Sequence, residues 1–86
     1  DEENAARQLE ETISHFQQGI DLFRMLKIER EVALGLKRYG EFLIEASREA
    51  EALAVLREAR EIFGRMGMKE LDEVKKLIAR LEESAT

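Results

Sequence analysis

The sequence contains no cysteine, no proline and no tryptophan, and these absences exclude several classes of protein. Without cysteine there can be no disulfide framework and no cysteine-ligated zinc or redox centre. A single histidine leaves no usual zinc or copper ligand set, so we expect no metal and no cofactor. Without proline, and with 44% hydrophobic residues, the chain is neither a proline-rich linker nor a compositionally disordered segment.

Long apolar runs and an excess of basic residues are missing as well. No stretch of about 18 apolar residues is present, so we expect no membrane-spanning segment and no membrane partner. The net charge of −5 argues against nucleic acid as a partner, because nucleic-acid binding needs a basic surface. No charged leader with a small-residue cleavage site is visible. Together with the lack of cysteine, this predicts a cytoplasmic location.

Catalytic motifs are also absent from the sequence. No glycine-rich phosphate loop follows a strand pattern, and no serine has a base at a recognisable spacing. Neighbouring acids such as Asp72 and Glu73 diverge around a helix, which is a poor arrangement for paired acid–base catalysis. We therefore expect a protein that is not an enzyme.

The charge that is present is unevenly placed. Residues 1–11 contain five acids and one base, and so carry −4 of the net −5. The helix dipole favours acids near a helix start, so this segment is interpreted as a helix N-terminus. The other residues mix Glu with Lys and Arg, which is typical of solvated helix faces. A length of 86 residues fits one small domain, residues 1–86.

Apolar residues recur at steps of three and four along the chain, which predicts helices and no strands. The four predicted helices span residues 4–26, 30–46, 48–66 and 69–83. The register of the apolar stripe resets near Lys27, Ser47 is predicted to be the N-cap of the third helix, and Gly67 its left-handed end. Because the connections are short, neighbouring helices should be antiparallel.

The second and third predicted helices carry small residues between large ones. The positions concerned are Leu36, Gly40 and Leu43, followed by Ala52, Leu56 and Ala59. This spacing resembles the tetratricopeptide repeat, a helix–turn–helix unit of about 34 residues in which small side chains let helices approach closely. The aromatic residue usual at the position of Leu36, and the proline that often ends the unit, are missing here.

The chain also resembles itself after a shift of 40 residues. Thr12, Phe16, Gly19 and Phe23 then fall onto Ala52, Leu56, Ala59 and Phe63. A shift of about 41 lays Ala33 and Leu36 onto Val74 and Leu77. The family resemblance thus implies an all-α fold of antiparallel helical hairpins, about four helices in a fragment of a right-handed solenoid. Such a fragment belongs to a longer chain or pairs with a second copy in a homo-oligomer.

The resemblance further implies a non-catalytic scaffold module that binds a protein or peptide, as an extended segment or as a helix, in the concave groove. In such repeats the first helix of each unit lines that groove. Carried onto this sequence, the partner-binding positions are Leu34, Lys37, Glu41, Ile44, Glu45, Lys75, Ile78 and Glu82. The set mixes both signs of charge, so it implies neither a basic carboxylate clamp nor an acidic groove.

Two alternatives stay open. The chain would instead be a self-associating bundle, a homodimer, if apolar residues of its end helices pair two copies. The candidates for such contacts, which otherwise form ordinary core, are Ile13, Ile20, Leu22, Leu77, Ile78 and Leu81. The segment from His15 to Gly19 resembles phosphotransfer domains, in which a histidine is followed by lysine three residues later and glycine four later. Gln18 stands here where lysine is expected.

Overall fold

The computed structural model describes residues 1–85, and these residues contain four α-helices. The helices are α1 (Glu2–Met25), α2 (Glu29–Glu45), α3 (Glu49–Met66) and α4 (Leu71–Ser84). No strand occurs within residues 1–85, so the expected all-α class is confirmed. Thr86, the last residue of the predicted domain, lies outside the described residues.

The acidic start of the chain is the N-terminus of α1. Asp1 is the N-cap, and its carboxylate accepts a hydrogen bond from the backbone N–H of Asn4 at 2.8 Å. Glu2 and Glu3 occupy the first turn, where the helix dipole favours negative charge. Because the cap satisfies the first backbone donors, the helix begins at Glu2 and not at residue 4.

The three turns between the helices share one backbone conformation. Lys27, Ser47 and Gly67 have left-handed φ angles of 58°, 62° and 65°, and they lie twenty residues apart. In each turn the following residue donates its N–H to a carbonyl five residues earlier: Ile28 to Phe23, Arg48 to Leu43, and Met68 to Phe63. This is the Schellman motif, which satisfies carbonyls at a helix C-terminus.

The prediction for Gly67 is confirmed, whereas the prediction for Ser47 is wrong. Ser47 is the left-handed residue that follows α2, and Arg48 is the N-cap of α3. Among the described residues no side chain caps the start of α3. Serine is a frequent N-cap, but here the turn needs a left-handed residue at position 47, and that requirement places the serine before the cap.

Consecutive helices pack against each other, α1 on α2, α2 on α3, and α3 on α4. Ion pairs join alternate helices as well: Arg24 of α1 contacts Glu58 of α3, and Lys37 of α2 contacts Glu73 of α4. The Cα atoms extend over 44 × 36 × 15 Å, and the shortest dimension is that of two helix layers. The finer expectation, a piece of a right-handed solenoid, stays a prediction.

One continuous apolar core runs through the four helices. Its largest fully buried side chains are Phe63, Leu43, Leu56, Ile78 and Val74. Gly40 brings α2 close to α3, because a Cβ atom at this position would lie 2.6 Å from Leu56. Within residues 1–85 no charged side chain is buried, and the hydroxyl of the buried Tyr39 accepts a hydrogen bond from Gln17, so the core is held mainly by apolar packing.

Of the six apolar residues considered for pairing two copies, four belong to this core. Ile13, Ile20, Ile78 and Leu81 are 2–7% exposed. Leu77 is half-buried, and Leu22 is 53% exposed. The ordinary interpretation as core therefore holds for the four buried residues, and Leu22 is the member of the set whose side chain is most available to another molecule.

Candidate functional site

Two shallow depressions follow the seam between α2 and α4. The first, of about 340 Å³, is lined by Leu34, Lys37, Arg38, Lys69, Glu70 and Glu73. The second, of about 180 Å³, is lined by Ile44, Glu49, Leu77, Arg80, Leu81 and Ser84. Because both lie between α2 and α4, we treat them as one surface, the α2/α4 groove.

Three half-buried apolar side chains lie among the charged residues of the α2/α4 groove, one in the first depression and two in the second, and we call them its floor. Leu34 and Ile44 from α2 and Leu77 from α4 are half-buried and pack against the core. Each of these side chains is anchored by its buried part and presents the rest to the groove. Such a floor can bury an apolar side chain of a ligand without any change in the fold.

Lys37 lies in the groove and is paired with two acids. Its Nζ atom is 3.3 Å from Oε2 of Glu41 and 3.3 Å from Oε1 of Glu73. The lysine side chain is only 15% exposed, so its positive charge interacts mainly with these two acids and is little available to a ligand. Since Glu73 belongs to α4, this pair also helps to hold the two walls of the groove together.

Three cations of the groove have no ionic partner in the described part of the chain. They are Arg38, Lys69 and Arg80, which form no hydrogen bond or ion pair with residues 1–85. Glu49 and Glu70 line the same groove and are likewise unpaired within that range. The residues that line the two depressions carry four positive and three negative charges, so the groove is slightly basic although the whole chain carries −5, and its unpaired cations favour ligands with negative charge.

The predicted partner-binding residues on α2 lie at or near the groove. Leu34 and Lys37 line its first depression and Ile44 lines the second. Glu41 is bound to Lys37 at the same surface. Glu45 is exposed at the end of α2 and lines neither depression.

The predicted residues on α4 are placed elsewhere. Ile78 is 2% exposed and belongs to the core, so its side chain is not available to a partner. Oε2 of Glu82 accepts a hydrogen bond of 3.1 Å from Arg57 of α3. Lys75 lines a different depression, together with Arg57 and other α3 residues. Lys75 and Glu82 therefore lie toward α3 and away from the groove.

The reason for this displacement is geometric. A constant shift along the chain maps each residue of α2 onto the same side of α4. Two helices that face each other across a groove use opposite sides, so the α4 wall consists of other residues. These are Glu73, Leu77 and Arg80. Their helical spacing places them on one face, but the sequence alone does not indicate that this face is turned toward α2.

A larger depression of about 540 Å³ lies between α1, α2 and α3, and ion pairs occupy it. Arg24 donates two hydrogen bonds to Glu58, of 2.6 and 2.9 Å. Arg65 pairs with Glu29 in the same depression. Hydrogen bonding from Arg24 lowers the pKa of the Glu58 carboxyl and raises the pKa of Arg24 itself. Because these charges satisfy one another, this cluster serves stability better than ligand binding.

His15 is an exposed side chain on α1. Gln18, which stands where phosphotransfer domains carry lysine, donates a hydrogen bond of 3.2 Å to Ser14. His15 forms no hydrogen bond or ion pair with another residue of the range 1–85, and the phosphotransfer hypothesis stays a prediction.

Residues 1–85 contain neither a metal-binding cluster nor a membrane-spanning helix. No group of three or more His, Asp or Glu residues there is arranged to hold a metal ion. None of the helices in this range combines the length and the apolar character needed to cross a membrane.

Compared with protein-family models, with curated proteins and with solved structures, the chain matches none. Its function must therefore be inferred from the groove and its neighbouring surfaces.

Proposed function

We propose that this chain is a non-catalytic binding module whose α2/α4 groove holds a peptide or partner helix that carries apolar and acidic side chains. The observation that carries the proposal is the apolar floor of Leu34, Ile44 and Leu77 beside three cations without ionic partners in residues 1–85. An apolar floor provides burial for a ligand, and charges at the rim select among ligands.

The regular turns support a relationship to helical-repeat scaffolds similar to the tetratricopeptide family. Lys27, Ser47 and Gly67 repeat the same left-handed turn at intervals of twenty residues. Such regularity is expected where one hairpin of about 40 residues is the structural unit. In this proposal the chain acts as a scaffold in the cytoplasm, in keeping with its lack of cysteine.

The proposal can be tested with two synthetic peptides of equal length. One alternates leucine with glutamate and the other leucine with lysine. We expect the leucine–glutamate peptide to change the amide chemical shifts of groove residues such as Lys37, Ile44 and Leu77 in labelled protein. The leucine–lysine peptide should leave them unchanged, because the unpaired cations of the groove repel it.

Charge-reversal variants test whether the peptide binds at the α2/α4 groove. Arg38→Glu combined with Lys69→Glu should weaken binding of the leucine–glutamate peptide by about tenfold or more. The matched control combines Arg30→Glu with Lys76→Glu, two exposed residues of the same helix pair that line neither depression of the groove. Equal losses in both double variants, or no shift changes in the groove, would refute the proposal.

A further inference from the structure

Gly19 lies in the interior of α1, and no atom of the described chain comes within 4 Å of the position its Cβ would occupy. Glycine destabilises a helix interior relative to alanine, so a helical glycine needs a reason. The glycines of α2 have one: a Cβ at Gly35 would lie 3.0 Å from Ile20, and one at Gly40 would lie 2.6 Å from Leu56. At Gly19 the corresponding neighbour is missing.

Helices α1 and α3 correspond at a shift of 40 residues. Phe23 and Phe63 accept the hydrogen bond that closes the turn after each helix. Gln17 of α1 donates a hydrogen bond to Tyr39 of α2, and its counterpart Arg57 donates one to Glu82 of α4. Therefore α1 meets α2 with the same side that α3 uses to meet α4.

A second side of each helix, adjacent to the side that meets the next helix, differs in what covers it. In α3 this side is buried: Ala52, Leu56, Ala59 and Phe63 are all 0% exposed, and Leu56 lies against Gly40 of α2. Their counterparts on α1, Thr12, Phe16, Gly19 and Phe23, are only half-buried. Ile62 of α3 is 8% exposed, whereas its counterpart Leu22 is 53% exposed. The ring of Phe16 already packs on Tyr39 and Phe42 of α2, at centroid distances of 5.4 and 5.5 Å. We name the remaining surface, formed by Thr12, Gly19, Leu22, Phe23 and Leu26, the α1 face.

We infer that the α1 face binds an amphipathic partner helix, antiparallel to α1, whose contact stripe has the large–small–large chemistry of α2. The occupant follows from the fold itself, because α2 covers the corresponding side of α3. There the stripe is Leu36, Gly40 and Leu43, and Gly40 admits Leu56 at close range. Gly19 is small for the same reason that Ala59 is small, since both let a neighbouring helix approach.

The other end of the chain offers no such stripe. The outward side of α4 carries exposed polar residues, namely Asp72, Lys76 and Glu83. A second copy that presented α4 to the α1 face would therefore bury charged groups against leucine and phenylalanine, which is unfavourable. A separate helix with the contact stripe of α2 is therefore a better occupant of the α1 face than the α4 helix of a second copy stacked head to tail. The inference concerns a surface outside the α2/α4 groove and does not depend on the proposed function.

The probe is a capped synthetic peptide with the sequence of residues 29–45, added in excess to isotope-labelled protein. We expect amide shift changes along α1 at Thr12, Gly19 and Leu22, with the α2/α4 groove unaffected. The control peptide has the same length and carries Leu36→Asp and Leu43→Asp. It should cause no shifts, because its contact stripe is charged.

Two substitutions at Gly19 distinguish an effect on peptide binding from an effect on folding. Gly19→Gln extends into open space, so the protein should fold with an unchanged or raised unfolding temperature, while affinity for the peptide falls by about tenfold or more. Gly19→Ala is the matched control, because alanine occupies the corresponding position 59 of α3. This variant should keep its affinity within about twofold.

Four results would overturn the inference, and the first three are results of the peptide experiments. They are the absence of binding up to the solubility limit of the peptide, shifts confined to another surface, and equal affinity of the Gly19→Gln variant and the original protein. A fourth is a homodimer that Gly19→Gln dissociates, since the occupant of the α1 face would then be a second copy. Failure of the groove proposal would appear separately, in the variants of Arg38 and Lys69.

Discussion

Gly40 of α2 lies directly against Leu56 of α3, and a Cβ added to the glycine would be 2.6 Å from the Cγ and Cδ2 atoms of the leucine. Leu56 is 0% exposed, so it cannot move aside without disturbing the core. Alanine would gain about 1 kcal/mol of helix propensity, but overpacking costs about 1–3 kcal/mol. We expect Gly40→Ala to lower the free energy of unfolding by about 1 kcal/mol, and by no more than about 2 kcal/mol, measured by urea denaturation.

Gly19→Ala is the control for this experiment, because no described atom is near the added Cβ. It should raise the free energy of unfolding by about 0.5–1 kcal/mol through helix propensity alone. If Gly40→Ala proved as stabilising as Gly19→Ala, the close approach of α2 and α3 at Gly40 would be incorrect.

The helices and their order could be predicted from the sequence because their apolar stripes have a strong period. The turns were harder to predict. Gly67 is recognisable as a left-handed residue, since glycine has no Cβ to clash. Lys27 and Ser47 adopt the same conformation although neither residue type favours it, and only the helices on both sides impose it. The preference of serine for the N-cap position therefore led to the wrong prediction for Ser47.

The candidate groove could be predicted only in part for a related reason. Leu34, Lys37 and Ile44 of α2 line the depressions as expected. The α4 wall, with Glu73 and Leu77, depends on which side of α4 faces α2, and this follows from packing in three dimensions. Whether these residues bind a partner stays a prediction.

The turn at Ser47 leads to a second prediction. A side chain in the left-handed region costs roughly 1–2 kcal/mol, and glycine avoids that cost while losing roughly 0.5–1 kcal/mol of chain entropy on folding. Ser47→Gly should therefore raise the free energy of unfolding by about 0.5–1 kcal/mol in thermal or urea denaturation. The matched control is Ser14→Gly in the interior of α1, which should lower it by about 0.5 kcal/mol. Destabilisation by Ser47→Gly would contradict the left-handed turn.

Tyr39 provides a third prediction, because it is the only tyrosine in the sequence and its absorbance can be followed directly. Burial raises the pKa of its hydroxyl above the ordinary 10.0, while the hydrogen bond donated by Gln17 acts in the opposite direction. The folded state therefore prefers the neutral phenol. The stability that this group contributes is complete below about pH 10 and is lost as the pH rises through the raised value.

The measurement is the ultraviolet absorbance of tyrosinate during an alkaline titration. The midpoint should lie above 10.0 in the folded protein and return toward that value in concentrated urea. Gln17→Ala removes the hydrogen bond that stabilises the phenolate, so it should move the midpoint further upward. An identical midpoint in buffer and in urea would show that the Tyr39 hydroxyl is not buried as described.

The two hydrogen bonds from Arg24 to Glu58 predict that the stability of the fold depends on pH in the acid range. They lower the pKa of Glu58 below the ordinary 4.5, so the pair stabilises the fold above that pH and is lost as the pH falls through the lowered value. The two side chains are 44% and 40% exposed, so solvent screening keeps the contribution to about 0.5–1 kcal/mol. We expect Arg24→Gln to destabilise the protein by this amount near pH 7, and by much less at an acid pH below the lowered pKa of Glu58. Urea denaturation at both pH values measures the difference.

Glu58→Gln should cause a similar loss near pH 7, and the double variant little more than either single one, because both substitutions remove the same interaction. A loss that was equally large in acid, or additive in the double variant, would mean that the pair does not link α1 to α3 in solution.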